Sequence, residues 1–259
     1  MIRILMAFAT AATLASPLAA ADFQRVLLPV SVPDVLPGVN GARWSTALAV
    51  ENRAANDVLL GPCAAGFPAD TNPAFSCLPD LLTLPARSIV RNPAVAHTPA
   101  GVHGEFVYVL TRDLANLQFA LELQQRGAAV ARLPVVREAE FTGGTLSLLD
   151  VPSRIASRTT LRIYGLGNHP ATARLQVFAM DAASTRLLDV PIALVPSPFG
   201  TADYPAAPSY AEVALDQTGA VGESIRVTID DISGDRLWAF ATVTSAASDS
   251  VVVVTPDAY

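Results

Sequence analysis

Apolar and polar residues alternate along this chain in short runs bounded by Gly, Pro, Asn and Asp, and helical periodicity is scarce. A period of two is the signature of a strand with one face buried. It predicts strands at 47–50, 105–110, 117–123, 160–164, 174–180, 224–229, 237–244 and 250–255. The 20 prolines fall mostly between these runs, in turn and edge positions where a missing N–H breaks no ladder. The pattern reads as all-β.

The runs also repeat. Ala21, Asp22 and Phe23 are echoed by Ala139, Glu140 and Phe141, and Val32–Pro33 by Val151–Pro152. Gly104–Glu105 leads an alternating strand through Val107 and Val109, as Gly222–Glu223 leads one through Ile225 and Val227. Phe119, Ala120 and Leu121 sit opposite Trp238, Ala239 and Phe240, and Val135–Val136 opposite Val253–Val254, at a spacing of about 118 positions (225 − 107). The boundary between copies falls near Glu138. The expectation is two tandem antiparallel β-sandwich domains, 22–138 and 139–259, of immunoglobulin-like architecture and related by an internal duplication. Trp44 precedes both cysteines, so the Cys-Trp-Cys order of true immunoglobulin domains is absent. An outer-membrane barrel is disfavoured by the last residues, because stepping back in twos from Tyr259 meets Asp257 and Thr255 where lipid-facing side chains belong.

Arg3, the apolar run from Ile4 to Leu14, Pro17 and the small residues Ala19, Ala20 and Ala21 have the order of a removable export signal, 1–21. The mature chain is expected to start near Asp22 and to be secreted, periplasmic or extracellular. No later stretch approaches the roughly 20 apolar residues a membrane helix needs, so no stable membrane insertion is expected after signal removal. No Cys follows the signal, which argues against a lipid anchor. Cys63 and Cys77 lie in the exported part and are expected to form a disulfide. Closing a loop of that size is worth about 3 kcal/mol in the chain-entropy model.

With 17 basic residues, all Arg, against 23 acidic ones, the net charge is -6. Scattered Arg on an acidic chain lacks the clustered positive face that phosphate backbones require, and nucleic acid is not an expected partner.

Two stretches carry a family likeness. Leu161, Arg162, Ile163 and Tyr164 are followed by Gly167, Asn168 and then Leu175, Gln176, Val177 and Phe178, and the chain closes with 237–243 and 251–256. These resemble a module of uncharacterised secreted bacterial proteins with tandem immunoglobulin-like β-sandwich domains. The likeness covers most of the second half and, through the repeat, the first, as in 48–52. It implies the fold and brings no catalytic residues.

Each candidate for chemistry has a plainer structural role beside it. His97 and His103 flank a loop-like segment and lack a third ligand for zinc, and His169 precedes Pro170 in a turn. Ser224 follows Gly222 and Glu223, but Arg226 stands where a nucleophile elbow needs Gly. Asp230, Asp231, Ser233, Gly234 and Asp235 have hairpin-turn composition, with calcium as the sharper alternative. Trp44 and Trp238 would stack on sugars in a carbohydrate-binding module and otherwise belong to cores. No catalytic, cofactor-binding or metal-binding set emerges.

Two long connections, around 67–99 and 191–208, are where a sandwich would recognise a partner. In the second, Phe199, Tyr204 and Pro205 are the candidate contact residues. The expectation is a noncatalytic exported protein with an interaction or structural role, its partner an unidentified protein or glycan. A carbohydrate-binding or enzyme-associated module is the alternative, and a hydrolase ranks below both.

Overall fold

The computed structural model describes residues 23–32, 36–37, 43–61, 81–93, 103–153, 157–167, 169–197, 206–218, 222–245 and 250–256. They form antiparallel sheets throughout. In the first half, β1 (Phe23–Leu28), β4 (Val58–Gly61), β5 (Leu82–Leu84), β7 (Glu105–Leu110) and β10 (Val136–Arg137) lie in the order β10-β1-β7-β4-β5. Facing them, β2 (Leu36–Pro37), β3 (Arg43–Asn52), β8 (Leu117–Gln125) and β9 (Ala128–Leu133) run β2-β3-β8-β9, with β6 (Ser88–Arg91) also on β3.

The second half has β11 (Leu146–Ser153), β13 (Ala171–Ala179), β14 (Arg186–Leu194) and β16 (Gly222–Asp231) in the order β11-β16-β13-β14. Its other sheet, from β12 (Ser157–Gly165), β15 (Ser209–Ala214), β17 (Leu237–Ser245) and β18 (Val251–Val254), is ordered β15-β12-β17-β18. Leu148, Val151, Leu175, Val177, Ile225 and Val227 of one sheet meet Leu161, Ile163, Ala239 and Ala241 of the other in a sealed core. The arrangement is sandwich-like.

With the two-residue strands β2 and β10 set aside, the connectivity of the halves corresponds. Numbered within each half, the strands run first-sixth-third-fourth in one sheet and fifth-second-seventh-eighth in the other. Val107 and Ile225 both lie in the sixth strand, opposite Val26 and Val151 of the first. Val135 and Val253 differ, because Val135 lies beyond the end of β9 whereas Val253 pairs with Thr242 inside β18. The immunoglobulin pattern shares the second-fifth and third-sixth pairings. Here, however, the first strand pairs with the sixth and the seventh with the second. Alternation along a strand reports which face is buried and carries nothing about which strand lies alongside.

The long connections are shorter than the sequence suggests. Strands β5 and β6 interrupt 67–99, and β14 continues through Pro191 to Leu194. Pro191 is accommodated because β14 is the edge of its sheet, paired on one side only, with Pro191 opposite Arg174. The Asp230–Asp235 segment is also not a hairpin, because β16 and β17 belong to different sheets.

The halves meet through the outer faces of two sheets. Alternation sends Leu161 and Ile163 of β12, and Ala239 and Ala241 of β17, into the second core, so Tyr164, Trp238 and Phe240 point the other way. Those aromatics, with Tyr210 and Phe141, are buried and continuous with the core of the first half. Tyr164 stacks on Phe240 with ring centroids 6.2 Å apart and lies 5.5 Å from the Tyr210 ring. Its hydroxyl donates to the Pro29 carbonyl at 2.7 Å, and burial pushes it well above the ordinary tyrosine pKa. Gly104, at φ +77°, leaves room for this contact, since a Cβ there would stand 3.0 Å from Tyr164 Cε1 and 3.1 Å from Leu27 Cδ1.

The chain between the halves is fastened to both. Arg25 on β1 donates from Nε and Nη2 to the two Glu138 carboxylate oxygens at 2.9 and 2.8 Å, and from Nη1 to the Leu166 carbonyl at 3.0 Å. Arg236 donates to the carbonyls of Glu138 and Phe141 at 3.0 and 2.7 Å, and Thr142 exchanges backbone hydrogen bonds with Leu237. Burial by itself disfavours the Glu138 carboxylate, yet the hydrogen bond and charge of Arg25 outweigh it and hold the pKa below 4.5. The bridge therefore stabilises the fold fully above pH 4.5, and that contribution is lost as pH falls through the lowered folded value. Glu138→Gln is expected to cost about 2 kcal/mol at neutral pH, as hydrogen bonds to charged groups do. Urea titrations at pH 7 and pH 3 check this, the difference from wild type shrinking at the lower pH.

Candidate functional site

Two places concentrate features beyond packing. The first is where the longest connections leave the framework. Gly61, the last residue of β4 and the residue before segment 62–80, pairs with Tyr108 in the middle of β7. Leu60 pairs with Leu82 of β5, which holds the two ends of that segment side by side. Segment 94–102 re-enters at His103, whose ring meets the Tyr210 ring edge-on at 4.8 Å. Segment 198–205 re-enters at Ala206, whose carbonyl accepts from Phe106 N at 2.9 Å, and both Ala206 and Ala207 are buried. Three connections from both halves are thus rooted on neighbouring residues at the seam.

The second place is an open groove of about 550 Å³ at the opposite end of the second half. Asp150, Pro152, Ser157, Ser224, Val243, Ser245, Ser250 and Val252 line it. Its geometry begins with a slip in the pattern of β11. Leu146 and Leu148 face the core, and the next core residue is Val151, so the alternation loses one step. The extra residue is a β-bulge with Asp150 at φ +54°, a left-handed conformation that Asp tolerates better than most residues. The bulge turns the Asp150 carboxylate toward β16, where Ser224 Oγ donates to it. Ser157 and Ser245 are cross-strand partners in β12 and β17, and Ser245 N donates to the Ser250 carbonyl at 3.0 Å. Hydroxyls, one carboxylate and the half-exposed Val252 can hydrogen-bond a polar molecule and cover an apolar face of it. Ser224 has its carboxylate partner here, but neither described histidine lines the groove, and a hydroxyl held by a carboxylate alone lacks the imidazole base of a hydrolytic triad.

The remaining sequence candidates fall elsewhere. His169 Nδ1 contacts the Pro170 carbonyl at 3.3 Å, and Nε2 lies 3.9 Å from Asp235 Oδ2. Asp231 accepts from Ser233 N and Oγ and from Gly234 N, an Asx-type turn, while Asp230 is bonded by Thr145 Oγ1. Asp235 is buried and accepts from Gly167 N. Among the described residues no group of three His, Cys, Asp or Glu is placed to hold a metal ion. Trp238, 5% exposed, offers no open stacking face, and Trp44 is partly buried. Cys63, Cys77, His97, Phe199, Tyr204 and Pro205 lie outside the described residues.

Asp150 and Ser157 were missed by sequence reasoning. The phase slip from Leu148 to Val151 was the available signal for Asp150, whereas nothing local distinguishes Ser157 from other strand serines. No helix among the described residues is long and apolar enough to cross a membrane. No protein-family model, curated protein or solved structure matches the chain.

Proposed function

We propose that this is an exported, noncatalytic binding protein, acting at the cell envelope or outside the cell, that recognises a protein or glycan partner through the connections rooted at its seam. The observation that carries this is the placement of described residues flanking segments 62–80, 94–102 and 198–205: Gly61 pairs with Tyr108, exposed His103 meets the Tyr210 ring, and buried Ala206 bonds Phe106 N. Connections on a rigid scaffold are where recognition is built with little ordering cost to the scaffold itself.

In this proposal the signal is removed after Ala21, and the halves 22–138 and 139–259 are copies of one ancestral sandwich. Support for a duplication comes from the shared strand order together with the sequence echoes. A Cys63–Cys77 bridge would close the first connection close to the β4–β5 pairing, and Phe199, Tyr204 and Pro205 would supply contacts from the third. A carbohydrate-stacking role receives less support, because Trp238 is buried.

The test uses the mature protein purified from the exporting host as bait against native envelope and culture fluid, after intact-mass measurement. A chain beginning at Asp22 is expected. The triple variant Phe199→Ala, Tyr204→Ala, Pro205→Ala is expected to lose the specific partner while its melting temperature stays within about 3 °C, under 2 kcal/mol for a chain of this size. A variant that melts early yet recovers the same partner would make the segment packing rather than recognition, and a mass retaining Met1 would refute export with cleavage.

A further inference from the structure

We propose that the two outer sheet faces away from the seam are end caps, which keep a further copy of this chain from adding to the molecule head to tail. The inference rests on the duplication proposed above and is independent of partner recognition through the seam connections.

The seam joins unlike faces. From the first half it takes the outer face of the sheet that holds β1 and β7, where Arg25 lies 5.2 Å from the Phe106 ring centroid and Leu27 meets Tyr164 over Gly104. From the second half it takes the outer face of the sheet that holds β12 and β17, with Tyr164, Trp238 and Phe240. These sheets are not counterparts, because β1 and β7 correspond in connectivity to β11 and β16, whereas β12 and β17 correspond to β3 and β8. A contact between unlike faces is heterologous, and its repetition leads to a ring or an open filament rather than a closed pair. The remaining outer faces, over β11–β16 and over β3–β8, are again one of each kind. With the side chains of the seam they would join one copy to the next.

Register shows what stands there instead. The β3–β8 ladder ends with Asn52 opposite Leu117, the first residue of β8, and the β12–β17 ladder ends with Gly165 opposite Leu237, the first residue of β17. Leu117 and Leu237 each point into the core of their own half, so the two ladders are in the same phase. Counting from those pairs, Glu51 takes the place of Tyr164, Gln118 that of Trp238 and Ala120 that of Phe240. Arg53, 58% exposed, bonds both Glu51 and Gln118. On the other face Val151 and Ile225 match Val26 and Val107. One step from each, Pro152 takes the place of Leu27, Ser224 that of Phe106 and Arg226 that of Tyr108. Ser224 donates to Asp150, Arg226 lies over Phe178, and on the same face Arg174, 50% exposed, bonds Asp189. Stacking a further copy would take these charges out of water without giving them new partners, which is costly. Polar outer faces end stacked repeats for the same reason.

Sedimentation of the full mature protein over a wide range of concentration tests the caps, and the wild-type chain is expected to remain monomeric throughout. One variant, Glu51→Tyr with Gln118→Trp and Ala120→Phe, restores the aromatic face on the first half. Another, Pro152→Leu with Ser224→Phe and Arg226→Tyr, restores the facing set on the second. Mixed, the two are expected to form a one-to-one complex about tenfold or more tighter than either forms with itself, a difference of about 1.4 kcal/mol. A chain carrying both sets is expected to grow into open-ended oligomers. Should a triple variant lose its cooperative melt, Gln118→Trp with Ala120→Phe against Ser224→Phe alone makes the same comparison. Open-ended oligomers of the wild-type chain, folded variants that stay monomeric when mixed, or self-association as tight as the mixed complex each overturns the inference. Partner recovery by the wild-type chain is read separately and tests only the proposed function.

Discussion

Phe240→Ala is expected to destabilise the protein by about 4 kcal/mol, in the range for truncating a buried aromatic. The side chain is fully buried on the face of β17 that looks away from the second core. It stacks on Tyr164, lies 5.6 Å from the Trp238 ring centroid, and has the Arg162 guanidinium 5.8 Å above it. Truncation leaves a void bounded by these rings, and Arg162 keeps its partners Glu212 and Thr242 while losing its aromatic surface. Phe178 is the control. It is partly buried on an outer face under Arg226, 4.5 Å from its centroid, and Phe178→Ala is expected to cost only about 1 kcal/mol. In a chain of this size the first loss corresponds to about 8 to 16 °C in melting temperature and the second to about 2 to 4 °C. The chain has two tryptophans, Trp44 in one half and Trp238 in the other. Variants keeping one of them at a time should give coincident unfolding curves if the seam couples the halves into one transition.

A larger effect is expected from dividing the chain after Glu138. Residues 139–259 alone would expose Tyr164, Tyr210, Trp238 and Phe240 together, and residues 22–138 alone would expose Leu27 and Phe106, all buried in the intact chain. Contiguous apolar patches of that kind drive self-association. The cut also separates Arg236 from Glu138, and Arg25 from the Leu166 carbonyl. Expressed separately, each half is expected to aggregate or to lack a cooperative melt, while co-expression restores a soluble one-to-one complex. Size-exclusion chromatography with multi-angle scattering measures this, and two soluble monomers with sharp independent transitions would show the seam to be dispensable.

The same seam explains what the sequence could and could not convey. All eight strands expected from alternation are present, and β7 coincides with 105–110 residue for residue. Their signal is local, since a strand with one buried face writes a period of two into its own residues. Strands β1, β5, β6 and β14 were harder to read because they are short, buried on both faces or interrupted by proline. Trp238 and Phe240 were legible as buried, but the layer that covers them was not. Alternation gives Ala239 and Trp238 opposite faces without stating that both faces meet protein. The groove was least legible, since Asp150, Ser157 and Ser224 come from three strands, and only the register of β11 on β16 and the packing of the sheet that holds β12 against theirs bring them together.

Pro191 has a bearing on how copies of this protein can associate. A free sheet edge is a template on which a strand from another molecule can add, and runaway addition of that kind leads to fibres. Strand β14 is such an edge, nine residues long. At Pro191 its backbone has no hydrogen to offer an incoming strand, and the ring projects where that strand's backbone would have to lie. At high concentration the molecule carries in this one residue a guard against polymerising along β14, the longest edge strand among the described residues.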